Sequence, residues 1–420
     1  MRILWVGDAG CSSGFARVTH EVCQSLGSVH DVDVLAVNYR GELPAWYPGP
    51  NYRLFVPTMY NPADTFGISR LPQLIGQIRP DVVVLFNDIA VVNVYLDAID
   101  KSVPAAYRPR VVVYTPVDST NLPPFSVKQL ARADKVITYT RFGVEQLRSA
   151  GLDGDIRHAP HGVNHEPAMV PVSFESPALV PGYDGLPVAC FSQEVIKKAH
   201  GLEGKYVILW VDRNSERKNL AGFLEAVHCM FVLHPDAQND VVVWLHCQGQ
   251  DVGGDVRDFL SLFPTLDGKV FITPGMDTFN GVSPEYLAAL YNMADLKVSS
   301  AMAEGWGLTN CESVLCGTPT IVTDFGPNRE VLGDDVDYVA GLMPVRVPAG
   351  GRMAYPSMLG MSELIYEHYH KDSKHTDSMK LFLARAHVSQ WTWERCTAAI
   401  EAAIFDYSDP EVPSLQEVVA

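Results

Sequence analysis

The 420-residue chain lacks three features that would each assign it to a broad class of protein. It has no run of about 18 apolar residues, so we expect no transmembrane helix. Its first residues, "MRILWVGDAG", lack the long apolar core and the cleavage site of a signal peptide. Its eight cysteines include no C-x-x-C pair, which argues against a zinc site and a disulfide scaffold and suits a reducing compartment. Together these absences predict a globular, cytoplasmic protein.

Positive charge is also scarce. The chain has 32 lysines and arginines against 49 acidic residues, which gives a formal net charge of -17. A surface of this sign repels nucleic acid and anionic lipid over long distances. Nucleic acid is therefore disfavoured as a partner, unless a local basic patch overrides the net charge.

Apolar runs rich in valine and isoleucine alternate with helical patterns along the whole chain. The runs are continuous rather than alternating, which is typical of strands buried on both faces of a parallel sheet. They are RILWV (2–6), DVDVLAV (31–37), DVVVLF (81–86), RVVVYT (110–115), KVITYT (135–140), KYVILWV (205–211), DVVVWLH (240–246), KVFIT (269–273), DLKVSS (295–300) and PTIVT (319–323). The fold class is therefore predicted to be α/β, with two Rossmann-like, doubly wound domains facing a central cleft.

The chain is too long for one ordinary hydrophobic core, so two domains are expected. A Pro- and Gly-rich stretch of weak periodicity at 166–187 predicts the linker. We therefore predict an N-terminal domain over 1–165, a C-terminal domain over 188–388, a C-terminal helix over 389–407 that crosses back to the first domain, and a tail over 408–420.

The segment "AEGWGLTNCESVLCGTPTIVTDFG" (303–326) sets two carboxylates, Glu304 and Glu312, in apolar and glycine-rich surroundings. An unpaired charge is costly to bury, so these side chains need polar partners. We expect Thr309 to cap a helix that ends near Leu315. The backbone amides just before it would lie at the positive end of the helix dipole and form an anion site; they belong to Gly305, Trp306, Gly307 and Leu308.

A second motif, "LWVDRNSERKN" (209–219), follows the first apolar run of the second half. It places Arg213 and Lys218 five residues apart on the turn into the next helix. Two cations that face an anion site would stabilise the negative charge on a leaving diphosphate. Taken alone, the motif is more typical of a solvated turn, and only its combination with the glutamate pair favours a site.

These two segments resemble the retaining GT-B glycosyltransferases of the family 4 type, the glycosyl transferases group 1. Glutamates eight positions apart and an arginine–lysine pair are hallmarks of that family. The resemblance implies that Glu312 binds the donor ribose and that Glu304 touches the donor sugar near the reacting carbon. It also implies that Arg213, Lys218 and the loop amides hold the diphosphate, and that the first domain binds the acceptor.

Two segments of the first domain carry weaker signals. The loop "GDAGCSSGFARV" (7–18) lacks the glycine fingerprint of dinucleotide sites and the lysine of P-loops. In relatives this loop meets the donor phosphate or the acceptor, which makes Gly10, Ser13 and Gly14 candidates, although an ordinary tight turn fits equally well.

The segment "YTPVD" (114–118) ends an apolar run where many relatives carry a histidine–aspartate pair. This chain has Asp118 there without the histidine. Asp118 is a candidate polar group at the reacting carbon or the acceptor hydroxyl, and a capping aspartate is the alternative.

The function predicted from these residues is a metal-independent, retaining transfer of a sugar from a nucleoside diphosphate sugar to an acceptor hydroxyl, with no other cofactor. Three D-x-D pairs, which begin at Asp31, Asp153 and Asp335, lack the strand–loop context of manganese-dependent transferases. Two alternatives stay open: a glycosyltransferase that modifies bases of viral DNA, and an inactive nucleotide-sugar-binding protein. The donor base, the sugar and the acceptor are also open.

Overall fold

The computed structural model describes residues 1–43, 49–59, 61–163, 169–173, 175–181, 187–277, 279, 281–347, 350–371 and 378–406. They form two compact units. The first contains residues 1–117, 121–162 and those from Trp391 onward, and the second contains 118–120 and 163–390. The predicted tail at 408–420 lies outside the described residues, as does part of the predicted linker at 166–187.

The first unit is built on a parallel sheet of seven strands. They are β1 (Arg2–Asp8), β2 (Asp31–Val37), β3 (Arg53–Phe55), β4 (Val82–Phe86), β5 (Arg110–Tyr114), β6 (Lys135–Thr138) and β7 (Ile156–His158). Their order is β3-β2-β1-β4-β5-β6-β7, so the winding direction reverses between β1 and β4. The connecting helices are α1 (Gly14–Leu26), α2 (Arg70–Ile78), α3 (Ile89–Ser102), α4 (Pro124–Lys128) and α5 (Arg141–Ser149).

The second unit repeats this plan. Its strands are β8 (Ala178–Pro181), β9 (Pro187–Cys190), β10 (Tyr206–Val211), β11 (Val241–His246), β12 (Gln250–Asp251), β13 (Gly254–Asp255), β14 (Val270–Ile272), β15 (Leu296–Val298), β16 (Thr320–Asp324), β17 (Asp337–Arg346) and β18 (Arg352–Pro356). Its helices are α6 (Gln193–Ala199), α7 (Leu220–Leu233), α8 (Val256–Ser261), α9 (Pro284–Met293), α10 (Leu308–Leu315), α11 (Asn328–Leu332), α12 (Met358–Lys371) and α13 (Ser378–Ser389).

The main sheet of the second unit has the order β14-β11-β10-β15-β16-β17-β18, and only its last pair is antiparallel. The winding reverses between β10 and β15, so the loops that follow these two strands leave the same edge of the sheet side by side. Two short antiparallel pairs, β8–β9 and β12–β13, stand apart from it.

Each apolar run predicted as a strand is a strand of one of the two main sheets. Strand β4, for example, is buried at every residue, because helices cover both faces of the sheet. The predicted α/β class is thereby confirmed. Most of the strands that sequence reasoning missed are short. The long strand β17 lies between β16 and β18, but most of its residues are exposed, so it lacks the burial that produces a valine-rich run.

A last helix, α14 (Trp393–Phe405), belongs to the first unit and packs against α1. It begins at a threonine cap, because the Thr392 hydroxyl accepts a hydrogen bond from the amide of Arg395 at 3.2 Å. Glu401 pairs with His30 at 3.0 Å, and Asp406 pairs with Arg110 at 2.6 Å. These contacts tie the end of the described chain to its first half.

In the part of the chain that the structure describes, no helix is long and apolar enough to cross a bilayer. All eight cysteines are free thiols.

The close approach of Gly162 to α14 yields a stability prediction. A Cβ atom at Gly162 would lie 2.6 Å from the Cα and 2.7 Å from the backbone nitrogen of Trp393. Since backbone atoms cannot rotate away, Gly162→Ala is expected to destabilise the first unit by about 1–3 kcal/mol in denaturant unfolding. The matched control is Gly76→Ala within α2, where an added Cβ meets nothing within 4 Å and should not destabilise. Equal stabilities of the two variants would contradict the packing.

Candidate active site

The loops after β10 and β15 meet at the carboxyl edge of the second sheet and hold the polar residues singled out in the sequence. Hydrogen bonds to backbone carbonyls join these loops. The Ser300 hydroxyl lies 2.9 Å from the carbonyl oxygens of Lys218 and Asn219, and the amide of Met302 donates to the carbonyl of Arg217 at 2.9 Å. Parallel topology brings the loops together, and these bonds fix their relative position.

Glu304 lies in the loop after β15 with its side chain only 5% exposed. The Lys218 ammonium donates to one carboxylate oxygen at 2.5 Å, and the Arg217 guanidinium donates to the other at 3.1 Å. Burial by itself raises the pKa of Glu304, but the charges and hydrogen bonds of Lys218 and Arg217 outweigh it and lower this pKa to about 2. Glu304 is therefore an ionised acceptor near neutral pH and cannot serve as a proton donor.

Lys218 bridges two carboxylates. Besides Glu304 it binds Asp212, the first residue after β10, whose second carboxylate oxygen is buried with no hydrogen-bond partner among the described residues. Burial raises the pKa of Asp212, and the nearby charge of Lys218 opposes that shift. The lysine side chain is 12% exposed, so its charge is largely shielded from water.

Arg217 is the site residue that sequence reasoning missed. It lies in the short 3₁₀ helix Glu216–Lys218 and donates to the carbonyl of Ala303 as well as to Glu304. Its Nε atom lies 3.7 Å from a carboxylate oxygen of Asp118, a residue that groups with the second unit. The motif contains two arginines, and their spacing alone does not show which of them faces the glutamate.

Arg213, chosen from the sequence, has a different partner. Its guanidinium makes a bidentate ion pair with Asp251 on β12, with N–O distances of 2.8 and 3.0 Å. Its side chain is 60% exposed. In this structure Arg213–Asp251 and Lys218–Glu304 are thus separate ion pairs, and a role for Arg213 at the diphosphate stays a prediction.

Asp118 is placed beside the cluster as a partly exposed carboxylate. It accepts a hydrogen bond from the Ser119 hydroxyl at 2.7 Å and faces Arg217 on its other side. The five side chains therefore form a chain of alternating charge, which runs through Asp118, Arg217, Glu304, Lys218 and Asp212.

Helix α10 begins at Leu308, and its N-cap is Gly307 with φ +85°. The prediction that Thr309 caps this helix was wrong, because the chain enters it through a left-handed residue, a conformation that favours glycine. Gly307 offers the first-turn amides no side-chain acceptor. This arrangement suits the predicted anion site, in which Gly305 and Leu308 are half-buried while Trp306 is buried.

Glu312 lies inside α10 and is buried. One of its carboxylate oxygens accepts a hydrogen bond from the Tyr291 hydroxyl of α9 at 2.9 Å. Tyr291 carries no sequence signal that could have identified it as this partner. A role for Glu312 at a ribose stays a prediction.

Two of the three candidates of the first unit, Gly10 and Ser13, bind Asp8 at the end of β1. The amide of Gly10 and the hydroxyl of Ser13 donate to its carboxylate at 3.2 and 2.8 Å, and Ser13 also caps α1, whose first residue is Gly14. A Cβ at Gly10 would lie 2.3 Å from the carbonyl oxygen of Asn38, so only glycine fits there. Gly10 and Ser13 thus have structural roles, and a ligand role for this loop stays a prediction.

Within the described ranges, no three His, Cys, Asp or Glu side chains lie close enough together to hold a metal ion.

Comparison with known proteins finds two family models that match this chain. The family model "Glycosyl transferases group 1" matches residues 192–343, and the model "Glycosyltransferase Family 4" matches residues 12–167. Mannosylfructose-phosphate synthase of Agrobacterium fabrum is 31% identical over 154 residues, which cover 35% of this chain and 32% of that protein. The matched segments span about a third or less of the curated relatives.

Solved structures share the fold over nearly the whole chain. Sucrose-phosphate synthase of Thermosynechococcus elongatus has a TM-score of 0.67 at 14% identity and covers 96% of this chain and 97% of its own. HepE of Anabaena, in complex with UDP-glucose, has a TM-score of 0.66 at 13% identity and covers 97% and 100%. At these identities the likeness shows the fold alone. The two family models each match less than half of the chain, but together they match most of the sequence, and both describe glycosyltransferases.

Proposed function

We propose that the protein is a retaining, metal-independent glycosyltransferase that moves a sugar from a nucleoside diphosphate sugar to an acceptor hydroxyl. The observation that carries this proposal is the ionised Glu304 carboxylate held between Lys218 and Arg217, beside the uncapped N-terminus of α10. The bound UDP-glucose of HepE supports a uridine diphosphate donor.

Departure of a nucleoside diphosphate builds negative charge on its phosphate oxygens. The cations of the 3₁₀ turn and the first-turn amides of α10 are fixed in place before the reaction, so they can stabilise that charge without reorganising. These cations supply the positive charge that other transferases obtain from a metal ion, which is the basis for proposing metal independence.

Glu304 has a different task. Its low pKa keeps it ionised, so it accepts hydrogen bonds and can orient hydroxyl groups of the donor sugar. Both of its oxygens are engaged by cations, which weakens it as a nucleophile. We therefore propose a same-face reaction, in which the bond from the anomeric carbon to the diphosphate breaks as the acceptor oxygen binds that carbon. The leaving phosphate oxygen takes the acceptor proton.

The first experiment is a thermal-shift screen of the purified chain against UDP-, GDP- and ADP-sugars, followed by an assay for release of the nucleoside diphosphate. We expect stabilisation by one donor, turnover that survives EDTA, and a product that keeps the anomeric configuration of the donor. Binding without hydrolysis or transfer would instead favour an inactive nucleotide-sugar-binding protein, and inversion of configuration would contradict retention.

Removal of the Lys218 charge should impair catalysis strongly. Lys218→Met deletes the cation shared by Glu304 and Asp212, so turnover should fall about a hundredfold. Lys205→Met is the matched control, because that ammonium binds the Asn239 carbonyl at the opposite edge of the sheet. Near-normal turnover of a folded Lys218→Met protein would remove this lysine from the site.

The two arginines of the motif should respond differently to substitution. Both Arg213→Gln and Arg217→Gln are expected to lower turnover at least about tenfold, since each removes a cation near the proposed diphosphate site. Only Arg217→Gln should also lower the free energy of unfolding, because it leaves buried Glu304 with a single cationic partner, whereas Arg213 is largely exposed. Turnover and denaturant unfolding are measured on the same preparations of both variants. A stable Arg217→Gln enzyme with full turnover would contradict the roles of Arg217 in catalysis and in stability.

A further inference from the structure

Lys297 is a fully buried lysine at the centre of the second sheet. It lies on β15, between β10 and β16, where its backbone neighbours are Leu209 and Thr320. Strands in this position are normally apolar throughout, and an uncompensated ammonium there costs several kcal/mol. The charge at this position therefore needs a specific physical reason.

One partner of Lys297 is Asn310, in the first turn of α10. The ammonium donates to the side-chain oxygen of Asn310. The side-chain nitrogen of Asn310 is buried with no hydrogen-bond partner in the described part of the chain. The lysine thus connects the centre of the sheet to the helix end that forms the proposed anion site.

The charged and titratable groups that interact electrostatically with Lys297 come from the loop after β10, the loop after β15 and helix α10. Asp212 follows β10, Lys218 belongs to the 3₁₀ turn, Glu304 lies in the loop after β15, and Cys311 lies in α10. Burial lowers the pKa of Lys297 to about 8, with the two carboxylates opposing this shift and Lys218 adding to it. Burial also raises the pKa of the Cys311 thiol, so Cys311 is neutral.

Counting charges shows what Lys297 contributes. The alternating chain of Asp118, Arg217, Glu304, Lys218 and Asp212 holds three carboxylates and two cations. When all are ionised, this chain is net negative, which is the wrong sign for a pyrophosphate ligand. The ammonium of Lys297 supplies the third cation and makes the cluster neutral.

We propose that Lys297 is a positioning residue of the donor site: its buried ammonium, bonded to Asn310, balances Asp212 and Glu304, so that Lys218 and Arg217 can bind the donor pyrophosphate. This inference rests on the proposed function, because it presupposes a pyrophosphate at the N-terminus of α10. A merely structural role of Lys297 is the alternative. The two roles differ in how an apolar replacement of Lys297 would change the binding of nucleoside diphosphate.

The critical variant is the double substitution Lys297→Met/Asn310→Leu. Replacing a buried polar pair by apolar groups of similar size is often neutral or stabilising, so a structural role predicts a folded protein with normal ligand binding. Our proposal predicts that the same folded protein binds nucleoside diphosphate about tenfold more weakly. The matched control is Lys197→Met, which removes a buried lysine that pairs with Asp295 at the amino end of β15.

The measurement is calorimetric titration of the full chain with UDP, GDP and ADP, using the tightest ligand thereafter. In the wild type, affinity should fall as the pH rises from about 7 to about 9, because Lys297 loses its proton while the charge of the terminal phosphate changes little. The double variant should show no such fall, whereas Lys197→Met should lose stability but keep both the affinity and its pH dependence. The wild-type pH series needs no variant, so it tests the proposal even if the double variant fails to fold.

Two results would overturn the proposal, and they are distinguishable. Wild-type affinity and pH dependence in the double variant would refute the role of Lys297 while leaving the proposed function intact. Failure of the wild type to bind any of the three nucleotides would refute the donor site itself, and the role of Lys297 with it.

Discussion

The ion pairs of Glu304 are the interaction on which the rest of the site depends. A carboxylate buried at the edge of a sheet is tolerated only if cations meet it, and removing one partner of such a pair typically costs about 3–5 kcal/mol. Lys218 and Arg217 meet this requirement from the neighbouring loop. The same contacts lock the loops after β10 and β15 together, so the stability of this region and the preorganisation of its charges have one physical origin.

Helix α10 is oriented by polar contacts as well as by apolar packing. Three inward-facing side chains of the helix each have a polar partner: Asn310 binds Lys297, Glu312 binds Tyr291, and the hydroxyl of Ser313 binds that of Thr320 at 2.9 Å. Hydrogen bonds are more directional than apolar contacts, so they specify the rotation of the helix about its axis. That rotation determines where the first-turn amides point, and therefore where an anion could bind.

The sequence predicted the buried strands and the positions of the loops after β10 and β15 well, and the pairing of side chains poorly. Val- and Ile-rich runs report burial on both faces, so they identify strands wherever helices cover the sheet. The choice between Arg213 and Arg217 depends on a 3₁₀ turn that ends at Asn219 with φ +53°, a backbone detail that composition does not encode. Thr309 failed as a cap for a similar reason, since Gly307 adopts the left-handed conformation that begins α10. Lys297 lies within the run DLKVSS (295–300), and nothing in the sequence shows that its side chain is fully buried.

The pairing of charges also bears on the acceptor. Near the site, Arg213, Arg217 and Lys218 each bind a carboxylate, so they do not form the basic patch that a nucleic acid would require. The net charge of -17 also repels nucleic acid over longer distances. A single pyrophosphate can replace a carboxylate as the partner of a cation and can also accept hydrogen bonds from the amides of α10. A nucleic acid needs several unpaired cations along its backbone. The charge pattern of this part of the chain therefore gives no support to a base in DNA as the acceptor.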